Sequence, residues 1–157
     1  MTSYNDFTTP MRPVEPEDLV ADSLAGWWRR VGASLIDGII TGVVGYVIAL
    51  ATIRHSFTFL EVILGAVYAV AMLGGRGRTV GNLAVRTAVV PAAPGAAISS
   101  GGPGAGLGYG KALLRWFVQE ILAISVIGFF VDVLWPLWDA RKQTVHDKIA
   151  STVVVRV

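Results

Sequence analysis

The chain has 157 residues, enough for one domain, of which 54% are hydrophobic and only 15% charged, with a mean hydropathy of +0.60 and a net charge of +2. That balance lies far from the soluble average and sets aside an ordinary water-soluble globule in favour of a membrane protein. No cysteine is present, which excludes disulfides, thiol chemistry, thiolate metal sites and an acylated lipoprotein cysteine.

Residues 1–26 carry Asp6, Glu15, Glu17, Asp18 and Asp22 with three prolines and no apolar run. They do not make a signal peptide and are expected to form a disordered tail, with residues 27–157 as the membrane domain. A first apolar stretch, Val31 to Ile53, has the roughly 20 residues a helix needs to cross a bilayer. The short link Arg54-His55-Ser56 then forces an antiparallel hairpin with a second stretch, Phe57 to Leu73. In that stretch Glu61 is expected to snorkel to the outer interface. The segment after Leu73 is polar and glycine-rich, then strand-like through LAVRTAVV, residues 83–90. Residues 91–110 read as a Pro/Gly/Ser/Ala linker with few large side chains. The third apolar stretch, Leu113 to Trp138, is followed by a second strand-like run, TVVVRV, residues 152–157. No internal repeat is visible.

The fold class expected is therefore an all-α membrane protein of three apolar helical segments with a short cytoplasmic β-like pair. Trp27, Trp28, Trp116, Trp135 and Trp138 all sit near segment ends, where indole rings meet headgroups. Three of the thirteen Lys and Arg precede the first span, five lie between Arg76 and Arg115, four follow Asp139, and Arg54 alone is in the first link. The positive-inside rule then puts the N-terminus and the 74–111 loop in the cytoplasm of a multi-pass inner-membrane protein. Three full crossings would strand the basic C-terminus outside and separate the two β-like runs. A third stretch that is broken or re-entrant near Gly128 and Pro136 lets the runs pair. The alternative is one tilted span, since 26 helical residues rise about 39 Å.

Arg30, Ser34, Asp37 and Thr41 follow one another at helical spacing and make a polar seam on the first span. Arg30 lies at the interface and Asp37 about 10 Å deeper, where a lone carboxylate must be paired, protonated or hydrated. The gap is too long for a direct pair, so a second positive group is expected beside Asp37, with Arg115 the best placed. Asp132 is expected either to join Asp37 in a two-carboxylate pocket or to take Arg115 as its counter-ion. Gly38 and Gly42 form GxxxG, extended by Ser34, a row expected to pack against another helix.

WWRRVGASLIDG, residues 27–38, resembles the opening of RDD-domain membrane proteins, named for an arginine at the start of the first transmembrane helix, an aspartate within it and a second aspartate later. The matching positions here are Arg30, Asp37 and Asp147, the last within RKQTVHDKIASTVVV. GRTVGNLAVRTAVV resembles the family's central cytoplasmic segment through Thr79, Gly81, Arg86 and the valines, with one departure: Asn82 stands where many members carry lysine. The resemblance spans about residues 25–157 and implies a small integral membrane protein; ion or proton antiport has been proposed for some members.

Enzyme signatures are missing. GGRGRTVG lacks the lysine and spacing of a P-loop, Asp37 follows Ile36 rather than the glycine of an intramembrane aspartyl protease, and neither a Ser/His/Asp set nor HExxH occurs. No catalytic residue, metal site, cofactor or nucleic-acid partner is expected; the bilayer and a second copy or another membrane protein are. The expected function is that of an accessory or structural membrane subunit. The alternative is a small ion or proton transporter working through Asp37.

Overall fold

A computed structural model describes residues 23–51, 57–92 and 105–157. The link 54–56, most of the 91–110 linker and residues 1–22 lie outside them. The described chain is mostly helical: α1 Trp27–Ala51, α2 Phe57–Arg76, α3 Val80–Ala84, β1 Thr87–Pro91, α4 Tyr109–Ile124, α5 Val126–Leu134, a 3-10 turn Trp135–Leu137, α6 Val145–Ile149 and β2 Thr152–Arg156.

α1 is apolar nearly all round, and among the described residues it is the one helix found both long and apolar enough to cross a membrane. Leu35, Ile39, Val43, Tyr46, Val47 and Leu50 along it are exposed. α2 packs against both α1 and α4. The GxxxG row behaves differently from expectation. Gly42 and Gly45, not Gly38, face α2, where both lie against the Glu61 side chain, while a Cβ at Gly38 would meet nothing within 4 Å. Glu61 thus packs on the α1 glycines.

The third apolar stretch is not one helix. α4 ends at Ser125, whose extended backbone (φ −106°, ψ 137°) turns the chain, and whose hydroxyl accepts the Gly128 N–H to start α5. The bend is tight enough that a Cβ at Gly128 would meet the Leu122 carbonyl oxygen at 2.6 Å. The break falls at Ser125, a turn before Gly128, and Pro136 sits in the 3-10 turn that ends the return. At about 1.5 Å per residue neither α4, about 24 Å, nor α5, about 14 Å, matches a full hydrocarbon slab.

The two β-like runs pair antiparallel, with Val89 opposite Val154 at the centre. The period of two sends Val89 and Val154 to a core shared with Ala25, Leu73, Leu107 and Ala112, and Ala88, Val90, Val153 and Val155 to a second core with Leu24. Leu24 and Ala25, read from sequence as tail, are buried; the Ala25 N–H donates to the Val154 carbonyl. Leu107, read as linker, is buried too, its N–H on the Leu73 carbonyl. The start of α1, the end of α2, the start of α4 and both strands therefore meet at one end of the molecule.

An internal repeat is present after all. Thr79, Val80, Thr87, Val89 and Val90 recur at one constant spacing as Thr144, Val145, Thr152, Val154 and Val155. Each threonine 79 and 144 N-caps a five-residue helix, α3 or α6. Each helix is followed by a residue in the left-handed region, Arg86 (φ 56°) or Ser151 (φ 51°), and then by a strand. The pairing obeys the same symmetry: Thr87 opposes Arg156 and Pro91 opposes Thr152. A local two-fold relates the units 79–91 and 144–156.

Candidate functional site

Each unit presents the N-terminus of its capped helix to an aspartate on a long apolar segment. In the first unit the Gly81 N–H donates to Asp37 Oδ1 at 2.7 Å, the Thr79 hydroxyl to Oδ2 at 2.6 Å, and the Tyr68 hydroxyl of α2 to Oδ1 at 2.6 Å. The approach is possible because residue 81 is glycine: a Cβ there would overlap the Ala33 carbonyl oxygen and come within 2.8 Å of the Asp37 carboxylate. Thr79 serves twice, since its oxygen also accepts the Asn82 N–H at 3.1 Å. Tyr68 is likewise double, accepting the Val80 N–H at 2.9 Å.

In the second unit the His146 N–H donates to Asp132 Oδ1 at 3.0 Å, and His146 Nδ1 lies 2.6 Å from Oδ2. Asp132 therefore stands to α6 as Asp37 stands to α3. Neither joins the other in a two-carboxylate pocket, and Arg115 serves neither.

The next position in each unit diverges. Asn82 is buried and its side-chain oxygen accepts the Thr87 hydroxyl at 3.0 Å. Its counterpart Asp147 is 0% exposed and accepts the equivalent Thr152 hydroxyl at 3.2 Å. Asp147 also closes a capping box with Thr144 and takes two guanidinium groups. Arg30 Nη1 of α1 lies 2.5 Å from Oδ2, and Arg115 Nε and Nη2 of α4 each lie 2.9 Å from Oδ1. Burial works to raise the Asp147 carboxyl, but the charges of Arg115, then Arg30 and His146, overcome it and hold the group well below the usual carboxylate range. Outside this cluster Lys148 pairs with Asp139.

The expected Arg30–Asp37 unit is thus corrected: both of its cationic candidates, Arg30 and Arg115, converge on Asp147. The reason is supply. Asp37 meets three neutral donors at a helix start, whereas Asp147, wholly enclosed, needs opposite charge. Among the described residues no basic group lies within ion-pair distance of Asp37.

Two cavities of about 280 Å³ each flank this cluster. Arg30, Ser34, Asp37 and Thr41, the seam read from sequence, all line the more polar one, with Arg115 and Glu120. Trp27, Leu35, Leu122, Phe129 and Val133 line the apolar one. Arg30, Ser34, Gln119, Thr144 and His146 belong to both and form the wall between them. Arg30 Nε and Nη2 and His146 Nε2 in that wall are buried without a hydrogen-bond partner. Sequence reading missed Tyr68 and the Asp132–His146 pair; the recurring Thr-Val-x-Asn/Asp spacing was the signal available for the second.

The sequence profile of the RDD family matches residues 24–151. Two curated relatives, each called "Proline-rich antigen homolog" and from Mycobacterium tuberculosis strains CDC 1551 / Oshkosh and ATCC 25618 / H37Rv, are 43% identical over 51 residues. That match covers 32% of this chain and 20% of each relative's length. No solved structure matches the chain.

Proposed function

The chain belongs to the RDD family, and from that premise we propose that it is an accessory or structural subunit of the cell membrane, acting through contacts with a second copy or another membrane protein. One observation carries the reading: the arginine and two aspartates that mark the family, Arg30, Asp37 and Asp147, are all engaged in ties between elements, α1 to α6 and α4 through Asp147 and α1 to α2 and α3 through Asp37. Their charge holds a small bundle together. The broad apolar exterior of α1, with exposed Phe117, Ile121, Ile124, Val126 and Ile127 on α4 and α5, suits lipid or a partner helix. Purification in mild detergent with cross-linking and mass spectrometry tests this. A partner, or a second copy, should come down at fixed stoichiometry; a monomer at every concentration with nothing bound would refute the subunit role.

The topology that goes with this reading puts the N-terminus, the 74–111 loop and the C-terminus on the cytoplasmic side, supported by the pairing of the two strands and by the isolated bridge from Leu24 to Val155 beside them. α1 and α2 form the spanning hairpin and α4–α5 a re-entrant one. Single-cysteine labelling reads it directly, the native chain having none. Ser100→Cys and Ser151→Cys should both resist an impermeant reagent added to intact cells; labelling of either would overturn the assignment.

A second reading, proton or cation transport at Asp37, is favoured by a single feature: this carboxylate lines the polar cavity with Glu120 and has neutral donors in place of a counter-ion. Asp37→Asn should then abolish pH- or salt-dependent flux in proteoliposomes. Flux equal to the parent's would remove that reading.

A further inference from the structure

Arg30 brings more hydrogen-bonding capacity into the bundle than its partners use. Its side chain is only 9% exposed, and one nitrogen, Nη1, meets Asp147. Nε and Nη2 have no hydrogen-bond partner, and neither does Nε2 of His146, whose side chain is 8% exposed and whose nearest acid is Asp147 Oδ1 at 3.8 Å. Asp147 does not absorb the surplus, because its other oxygen is taken by Arg115 and Thr152. Buried guanidinium edges are ordinarily closed by carboxylate or phosphate oxygens, which fit their planar fork.

The two cavities beside this edge differ in what they would admit. On one side Asp37 and Glu120 repel an anion, and Arg115, the further cation in that lining, is already held by Asp147. On the other the walls are apolar apart from the shared residues and Asp132, which His146 already engages. A free inorganic anion would satisfy the guanidinium and leave those apolar walls unmatched. An amphipathic anion would match both halves.

We propose that the wall formed by Arg30, Ser34, Thr144 and His146 binds one anionic lipid, whose acidic headgroup oxygens accept from Arg30 while part of an acyl chain fills the apolar cavity between α1, α4 and α5. The occupant follows from charge complementarity at the buried edge and from the apolar character of the adjoining space. It rests on the reading of the chain as a membrane protein, which supplies the lipid. Ser34 and Thr144 add hydroxyls within the same wall. The site would make the Arg30–Asp147–Arg115 cluster tightest in a membrane containing acidic lipid.

The test uses the full chain in a neutral detergent, titrated with phosphatidylglycerol, phosphatidylcholine or inorganic phosphate, and followed by native mass spectrometry and thermal unfolding. Phosphatidylglycerol should remain as a single bound molecule and raise the melting temperature, with phosphatidylcholine about tenfold weaker. Ala123→Phe, which narrows the apolar cavity and touches no ion pair, should weaken phosphatidylglycerol about tenfold while leaving the lipid-free melting temperature in place. Arg30→Lys keeps a cation for Asp147 and removes the open guanidinium edge, so it should weaken the anionic lipid and spare phosphatidylcholine. Equal binding of the two lipids, or indifference to Ala123→Phe, would overturn the proposal. So would inorganic phosphate that displaces the lipid and reproduces its stabilisation, which would mark a site for a free anion. Recovery of the chain without detergent in the soluble fraction would instead refute the membrane reading, a result independent of the micelle titration.

Discussion

The two related units solve one problem with different chemistry. Both present the first turn of a Thr-capped helix to an aspartate and both close with a threonine hydroxyl on the residue at the third helical position. In the first unit glycine and asparagine fill the variable positions, and every donor around Asp37 and Asn82 is neutral. In the second, histidine and aspartate fill them, and Asp147 draws Arg30 and Arg115 from two other helices. The lesson is that a shared backbone frame leaves the charge of a site free to vary. A neutral version suits close helix approach, and a charged version gathers elements that are far apart in sequence.

The sharpest way to break that contrast is to neutralise the charged version. Asp147→Asn leaves Arg30 and Arg115 buried without compensation and is expected to cost about 3–5 kcal/mol, read as a large drop in melting temperature in detergent. A loss under about 1 kcal/mol would mean that the arginines find other acceptors. The same group makes the fold acid-labile. Its folded-state pKa is depressed, so its stabilisation is present in full above the ordinary aspartate value of about 3.9 and is lost as pH falls below it. The parent should therefore lose stability on acidification through that range, and Asp147→Asn should flatten that part of the profile.

Charging the neutral version is the complementary experiment. Asn82→Asp places a carboxylate in a buried position with no arginine engaged there and is expected to destabilise by about 2–4 kcal/mol at neutral pH, less in acid where the new group protonates. Wild-type stability would show that the two frames are interchangeable. Gly81→Ala probes the close approach instead. The added methyl would overlap the Ala33 backbone and crowd Asp37, and a cost of about 1–3 kcal/mol is expected. Gly38→Ala should be the mildest: the added Cβ would meet no other element within 4 Å, so a change within about 0.5 kcal/mol, or a small gain from helix propensity, is expected. A marked loss there would reveal a partner helix on the α1 face.

Much of the outline could be read from residue order. Helical periodicity in α1 put Arg30, Ser34, Asp37 and Thr41 on one face, and all four line one cavity. Runs of β-forming valine and threonine marked both strands, and the basic residues flanking them suggested that they share a side. These are properties of neighbouring residues, carried by the 3.6-residue repeat of the helix and the preference of β-branched side chains for extended backbone. The break at Ser125 was only roughly legible, because a hydroxyl that caps a helix and a glycine that tolerates a carbonyl at 2.6 Å look like ordinary small residues within an apolar run.

Which charge meets which was decided by the tertiary structure. Arg30 and Asp37 are close in sequence and share a face, yet Arg30 pairs with Asp147, 117 positions away, and Asp37 is answered by Tyr68, Thr79 and Gly81. Partner choice for a buried charge depends on how completely each group loses water and on which donors the packing of other elements delivers, and neither is a local property. The pairing of 79–91 with 144–156 has the same cause. Composition and periodicity fixed an apolar, mostly helical chain with two short strands; the long-range sheet created the two-fold that makes the Asn82 and Asp147 positions comparable at all.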